Sequence, residues 1–243
     1  MKTSINITTL VHQAQATLNK QIVHYVEDTL GSDNTVVFIT LDSGEEYVVK
    51  CGEEVNVDLY VLGLLTKHKA RVPHIITHFV YSDEKYFMPA IIMTKMAGKI
   101  FKYALTEEKP QYVSQIVEEM KIIHEIPVME MYGKVGNILK NKSMSWQEYI
   151  QTTLADIANG PHWETIFQTF PYYTSDIKTA QELALSQLEI IPASPRYSLL
   201  HCDINHNNVF IKDYKVEGII AVSYTHLRAH ETKANLVCRL LLE

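Results

Sequence analysis

Three short runs near the start of the chain, QIVHYVE (21–27), VVFITL (36–41) and EEYVVKC (45–51), are rich in Val, Ile, Tyr and Phe, the composition of β-strands. The connecting stretches DTLGSDN (28–34) and DSGE (42–45) are made of turn formers, so residues 21–51 read as an antiparallel meander. A short helix over 9–20 is expected to precede it. After the meander, VDLYVLGLLTKH (57–68) repeats its apolar residues at helical spacing and ends near Arg71, Val72 and Pro73, which predicts a helix. Two more strands are expected over 74–81 and 87–94, with Gly98 closing that segment.

From residue 103 the pattern turns helical. QYVSQIVEEMKIIHEI (111–126) is amphipathic and is stopped by Pro127. SMSWQEYIQTTLADIA (143–158) begins with Ser143 and Ser145 as possible caps, and TSDIKTAQELALSQLEII (174–191) with Ser175 or Asp176. The apolar runs YSLL and VFI then flank a polar loop, followed by KVEGII (215–220). Strand-rich first and helix-rich second predicts an α+β chain in two lobes. No internal repeat or low-complexity segment interrupts it.

The 243 residues are enough for one large domain or two modest lobes. A formal charge of −6 without a basic run argues against gripping a nucleic-acid backbone, and suits a cationic small molecule. Cys51, Cys202 and Cys238 have no paired spacing, which argues against a disulfide framework or thiolate zinc site and for a reducing cytoplasm. The N-terminus has no signal-peptide apolar run, and no apolar stretch reaches the roughly 18 residues of a membrane span. His226 and His230 stand at i and i+4, but no third ligand is evident and there is no HExxH, so a zinc site is rejected.

The polar loop His201-Cys202-Asp203-Ile204-Asn205-His206-Asn207-Asn208 is the richest in chemistry. An Asp and an Asn five positions apart suit phosphoryl transfer: the Asp accepts a hydroxyl proton, and the Asn oxygen ligates Mg²⁺. This H-x-D-x-x-x-x-N run resembles the catalytic loop of the aminoglycoside phosphotransferase family, a branch of the kinase-like fold that also contains choline kinases. The family pattern is close to H-G-D-[LIF]-x-x-x-N-[IVL]. Cys202 stands where that pattern has Gly, a tolerable change if the backbone there avoids positive φ. Asn207 stands at a second frequent Gly, where Asn suits a left-handed backbone.

By that resemblance Asp203 is the catalytic base, His201 organises the loop and Asn208 is a metal ligand. Lys50, at the end of the third strand, matches the phosphate-contacting lysine of a kinase-like small lobe. Its carboxylate partner is Asp58, in a register similar to the family's E-x-x-v-L-x-x-L, with Glu54 as the alternative. The loop DTLGSDN, with Ser32, lies where a nucleotide cover belongs, and the backbone at Thr94 and Met96 in IIMTKMAG lies where the hinge meets adenine. Ile92 and Met93 are expected in the core. His124, in the segment similar to L-x-x-L-H-x-[IL]-P, is expected to be structural, and Trp146 matches a recurring family Trp. Glu118, Glu119, Asp156 and Glu182 read as solvated carboxylates.

The resemblance spans about residues 20–220. It implies a two-lobed protein-kinase-like fold, with a nucleotide-binding lobe over 1–95 and an incomplete helical lobe over 96–220. The implied activity is transfer of the γ-phosphoryl group of ATP, with Mg²⁺, to a hydroxyl of a small molecule. The pattern breaks after KVEGII: the family places an Asp there as a second metal ligand (I-D-W or I-D-F), and this chain has Ala221 and Val222. Residues 221–243 resemble translated sequencing-adapter read-through, so the natural chain is expected to end near Ile220 here; the alternative is a genuine helix over 226–243. Two other functions remain at this stage. A pseudokinase-like nucleotide-binding module fits the lost Asp, whereas a protein kinase fits poorly without DFG, APE or a full glycine loop.

Overall fold

The computed structural model of the chain describes residues 5–29, 34–127, 133–135, 148, 151–152, 154–155, 161–187, 197–221 and 226–229. Ser32, Trp146, Asp156 and most of the helix expected over 143–158 lie outside the described residues. Helix α1 (Ile7–Leu18) opens with Asn6, whose Oδ1 accepts the Thr9 N–H at 3.0 Å. It closes at Asn19 with φ 51°, a left-handed backbone that Asn tolerates better than most residues. Leu10, Val11 and Ala14 form its buried stripe.

That stripe covers one face of a five-stranded antiparallel sheet. The strands are β1 (Ile22–Asp28), β2 (Thr35–Leu41), β3 (Glu46–Cys51), β4 (Ile75–Ser82) and β5 (Phe87–Thr94), in the order β1-β2-β3-β5-β4. Register decides the faces. Val49 sits opposite Val37 and Ile92, and all three join Leu10 and Val11 in one core. Lys50, one residue on, sits opposite Val36 and Ile91 and so belongs to the other face. Helix α2 (Val55–Lys67) follows β3 directly, and its Val61, Leu62 and Leu65 pack with Ile91 on that side.

This second core continues into the rest of the chain. It takes in Tyr112, Ile116, Met120 and Ile123 of α3 (Lys109–His124), together with Leu199, Ile204, Val209, Ile211, Val216 and Ile219. Strand β6 (Lys99–Ile100) and the 3-10 turn Phe101–Tyr103 follow β5, and β7 is the pair Gly133–Lys134. Helices α4 (Pro161–Thr169) and α5 (Thr174–Ser186) precede β8 (Tyr197–Leu200), β9 (Val209–Lys212), β10 (Lys215–Ile219) and β11 (His226–Ala229). β10, β9 and β6 form one three-stranded sheet, and β7, β11 and β8 another. Gly98 lets the first of these form: at φ +86° it lies so close that a Cβ would stand 2.1 Å from the Ile211 carbonyl oxygen.

The α+β architecture read from the sequence is the one observed. The short strands β6, β7 and β11 carry too few residues to show a period, and α4 was not anticipated. Residues 226–229 form a strand, so the helical alternative for the tail does not hold there. Among the described residues no helix is long and apolar enough to cross a membrane.

Candidate active site

β3 delivers Lys50 to the face that α2 covers, and α2 delivers Asp58 to meet it. The Nζ–Oδ2 distance is 2.7 Å, with the side chains 12% and 3% exposed. Burial pushes the Asp58 carboxyl above its ordinary pKa, and the Lys50 ammonium opposes that shift. Glu54, the alternative partner, is an exposed residue at the N-terminal cap of α2. Its one influence on the pair is a like charge that adds to the rise at Asp58.

The polar loop 201–208 joins β8 to β9; its own amides bond within it, and Ile220 and Lys102 tie it to the rest of the chain. Asn208 Nδ2 donates to Asp203 Oδ2 at 2.9 Å and to the Asp203 carbonyl at 2.8 Å. Asn205 Nδ2 donates to Asp203 Oδ1 at 3.0 Å, while Asn205 Oδ1 accepts the Asn207 N–H at 2.8 Å. Each carboxylate oxygen of Asp203 therefore has an amide donor aimed at it, and the side chain is half-buried. Having spent its N–H groups on Asp203, Asn208 keeps Oδ1 as an oxygen donor.

His201 is 1% exposed. Its Nε2 lies 2.8 Å from the Ile220 carbonyl, and its Nδ1 accepts the Asp203 N–H at 3.3 Å. One tautomer satisfies both bonds, the neutral ring with its proton on Nε2. Burial lowers its pKa, although the Ile220 carbonyl and the Asp203 charge both act to raise it. A neutral imidazole fixed at both nitrogens orients the Asp203 backbone.

Two backbone expectations are corrected. Cys202 has φ 61°, so the position where the family pattern has Gly does need a left-handed backbone, and Cys is strained there. Asn207 is not among the residues of positive φ; its N–H instead closes an Asx turn on Asn205. Ala221 also has φ 65°, a conformation that Asp or Asn adopts far more readily than Ala.

Thr94 ends β5, and Met96 lies two residues beyond it. The Thr94 hydroxyl accepts the His74 N–H at 2.9 Å, and the Thr94 N–H donates to the His74 carbonyl at 2.9 Å. Both residues line a hollow of about 540 Å³ with Thr66, Arg71 and Glu217, and neither Lys50 nor Asp203 lines it. Their side chains thus do not join the Lys50–Asp58 pair. Ile92 is buried against α1, and Met93 packs on the α2 side. His124 is buried at the end of α3.

Glu119 corrects the reading of solvated carboxylates: it is 5% exposed and bonded to Arg71. The signal was present in the sequence. Tyr112, Ile116, Glu119, Met120, Ile123 and His124 are the buried positions of α3, which puts the carboxylate inside the helical apolar stripe. Glu118 and Glu182 are exposed as expected.

The donor sets can be tested against the nucleotide and metal that the loop suggests. A buried ammonium already held by a carboxylate fits a phosphate contact. For a cation, no group of three or more His, Cys, Asp or Glu side chains gathers among the described residues. Asn208 Oδ1 beside the Asp203 carboxylate is a hard-oxygen set, suited to an ion that keeps most of its waters.

The model of the phosphotransferase enzyme family APH matches residues 24–220. No curated protein matches the chain by sequence. Among solved structures, aminoglycoside phosphotransferase APH(4)-Ia is 15% identical with a TM-score of 0.70, over 92% of this chain and 73% of its own. APH(3'')-Id from Streptomyces rimosus, solved with ADP and streptomycin, is 12% identical with a TM-score of 0.62, over 98% and 83%. ADP-bound APH(2'')-Ib is 14% identical with a TM-score of 0.59, over 90% and 71%. At such identities the likeness is one of fold, the kinase-like fold these structures share.

Proposed function

Because the chain belongs to the APH family of phosphotransferase enzymes, we propose that it is built as an ATP-dependent phosphotransferase acting on a hydroxyl of a small molecule. The observation that carries this reading is the pairing of Asp203 with Asn208, anchored in the same core as the helix that holds Asp58 against Lys50. In this reading residues 1–95 form the nucleotide lobe and 96–220 the catalytic lobe. The Lys50 ammonium contacts the phosphates of ATP, kept in place by Asp58. Asp203 orients the acceptor hydroxyl and takes its proton as the oxygen attacks the γ-phosphorus; ADP leaves. His201 keeps Asp203 in register from a neutral, buried position. Asn208 Oδ1 is the residue that would hold Mg²⁺, which supplies charge neutralisation on the phosphate oxygens.

Among aminoglycoside-like, amino-alcohol and sugar acceptors, a net charge of −6 weakly favours the cationic ones. The sparse cysteines, without paired spacing, support a cytoplasmic location.

Ala221 supports a second reading. With Ala where the family has its metal-binding Asp, this chain binds ATP but turns it over poorly, in the manner of a pseudokinase. Calorimetric titration with ATP, with and without Mg²⁺, tests both readings together with a coupled turnover assay. Expected results are ATP binding, a loss of about tenfold or more in Lys50→Met, little turnover, and stronger Mg²⁺ dependence in Ala221→Asp. Absence of ATP binding removes the phosphotransferase reading, and ordinary turnover removes the inactive one.

A further inference from the structure

Arg71 lies in the turn between α2 and β4 and ties three elements together. Its N–H donates to Glu119 Oε2 at 3.1 Å, and its Nε meets Glu119 Oε1 at 3.1 Å. Its Nη1 donates to the Val216 carbonyl at 2.7 Å, and its own carbonyl accepts the Ile219 N–H at 2.8 Å. The contact with β10 is close: a Cβ on Gly218 would stand 2.9 Å from the Arg71 carbonyl oxygen. One residue beyond Ile219, the Ile220 N–H donates to the Asn208 carbonyl at 2.9 Å, and the Ile220 carbonyl meets His201 Nε2. A path therefore runs from Asp58 in the first turn of α2, along that helix to Arg71 beyond its C-terminal end, and through β10 into the loop that carries Asp203.

We propose that Arg71, locked by Glu119, is a positioning residue that couples the Lys50–Asp58 pair to the Asp203 loop. The proposal rests on reading those two places as ends of one phosphotransfer site. A buried carboxylate is costly unless its partners are well placed, and the hydrogen bonds and ion pair of Glu119 all run to Arg71. Simple packing of α3 would be met by an apolar residue at 119, since its neighbours in the stripe are Ile116, Met120 and Ile123. The guanidinium suits the task because it donates in two directions at once, to α3 and to β10, whereas an ammonium has no rigid fork.

Hydrogen exchange on Glu119→Gln and Arg71→Lys tests the mechanical path without any nucleotide. Both substitutions keep the side-chain volume close to native. Exchange at the Ile219 and Ile220 amides should rise about tenfold, with the β2 and β3 amides unchanged. ATP titration of the same variants supplies the readout that a local strut would not move: affinity should fall several-fold in protein that is still folded. Native exchange at Ile219 and Ile220, an equal rise throughout β2 and β3, or native ATP affinity in both variants would overturn the coupling. If the wild type itself fails to bind ATP, the phosphotransfer reading falls, and the exchange pattern alone then decides whether Arg71 links the two places.

Discussion

Lys50 and Asp58 hold opposite charges between a strand and a helix, almost out of water, whereas Asp203 holds one charge in a half-buried loop by means of amide donors. In the first region each partner is the other's compensation, so removing one strands the other in a poor dielectric. In the second the stabilisation is spread over the side-chain amides of Asn205 and Asn208. A single loss there is smaller and local. The contrast suits the proposed tasks. A phosphate contact needs a charge held rigidly, while a proton acceptor needs a carboxylate that is oriented yet still reached by water and substrate.

The largest test of this contrast is Asp58→Ala, which leaves the Lys50 ammonium without its partner and should lower stability by about 3 to 5 kcal/mol in urea denaturation. Lys50→Met together with Asp58→Leu should recover most of that loss, because an apolar pair carries no desolvation cost. A cost for Asp58→Ala within experimental error would show that the pair is no more than a surface contact. Next in size, Asn208→Ala removes two hydrogen bonds at Asp203, one of them to the carboxylate, and should cost about 2 to 3 kcal/mol by the same measurement.

His201 makes the loop sensitive to acid, with the sign set by its lowered pKa. Unfolded His takes up a proton below about pH 6.5, while the buried ring resists doing so. Stability should therefore be fully present above that pH and fall as the pH drops through it, by at most about 1.4 kcal/mol per pH unit for one proton. The same pH series on His201→Gln should lose this part of the slope; an unchanged slope would place the acid sensitivity elsewhere. The smallest expected effect is a gain. Cys202→Gly relieves a left-handed backbone and should raise stability by about 1 kcal/mol, net of the greater freedom of unfolded Gly. A loss in thermal midpoint would mean that the Cys side chain contributes more packing than its backbone strain costs.

Much of the fold was legible because it is local. The meander strands, α2, α3 and the turns between them follow from periods and turn formers over windows of a dozen residues. Local order narrowed the partner of Lys50 to Asp58 or Glu54, since both stand within one helical turn of each other just after β3. Glu119 was misread because its neighbour Glu118 is exposed on the same helix, and charge outweighed position in the apolar stripe. The strain at Cys202 was not legible, because φ at a loop residue is imposed by the bonds on either side of it.

The order of hydrophobic and polar residues by itself determined the element types, the polar loop's donor set and the absence of an Asp at 221, all properties of neighbouring residues. Only the tertiary structure decided that Asp58 and not Glu54 meets Lys50, that Thr94 and Met96 turn toward His74 and Gly218, and that Arg71 joins α3 to β10. Those choices depend on contacts between residues 8 to 145 positions apart. Such contacts are selected by how two cores close around shared apolar surface, and no local period records that closure.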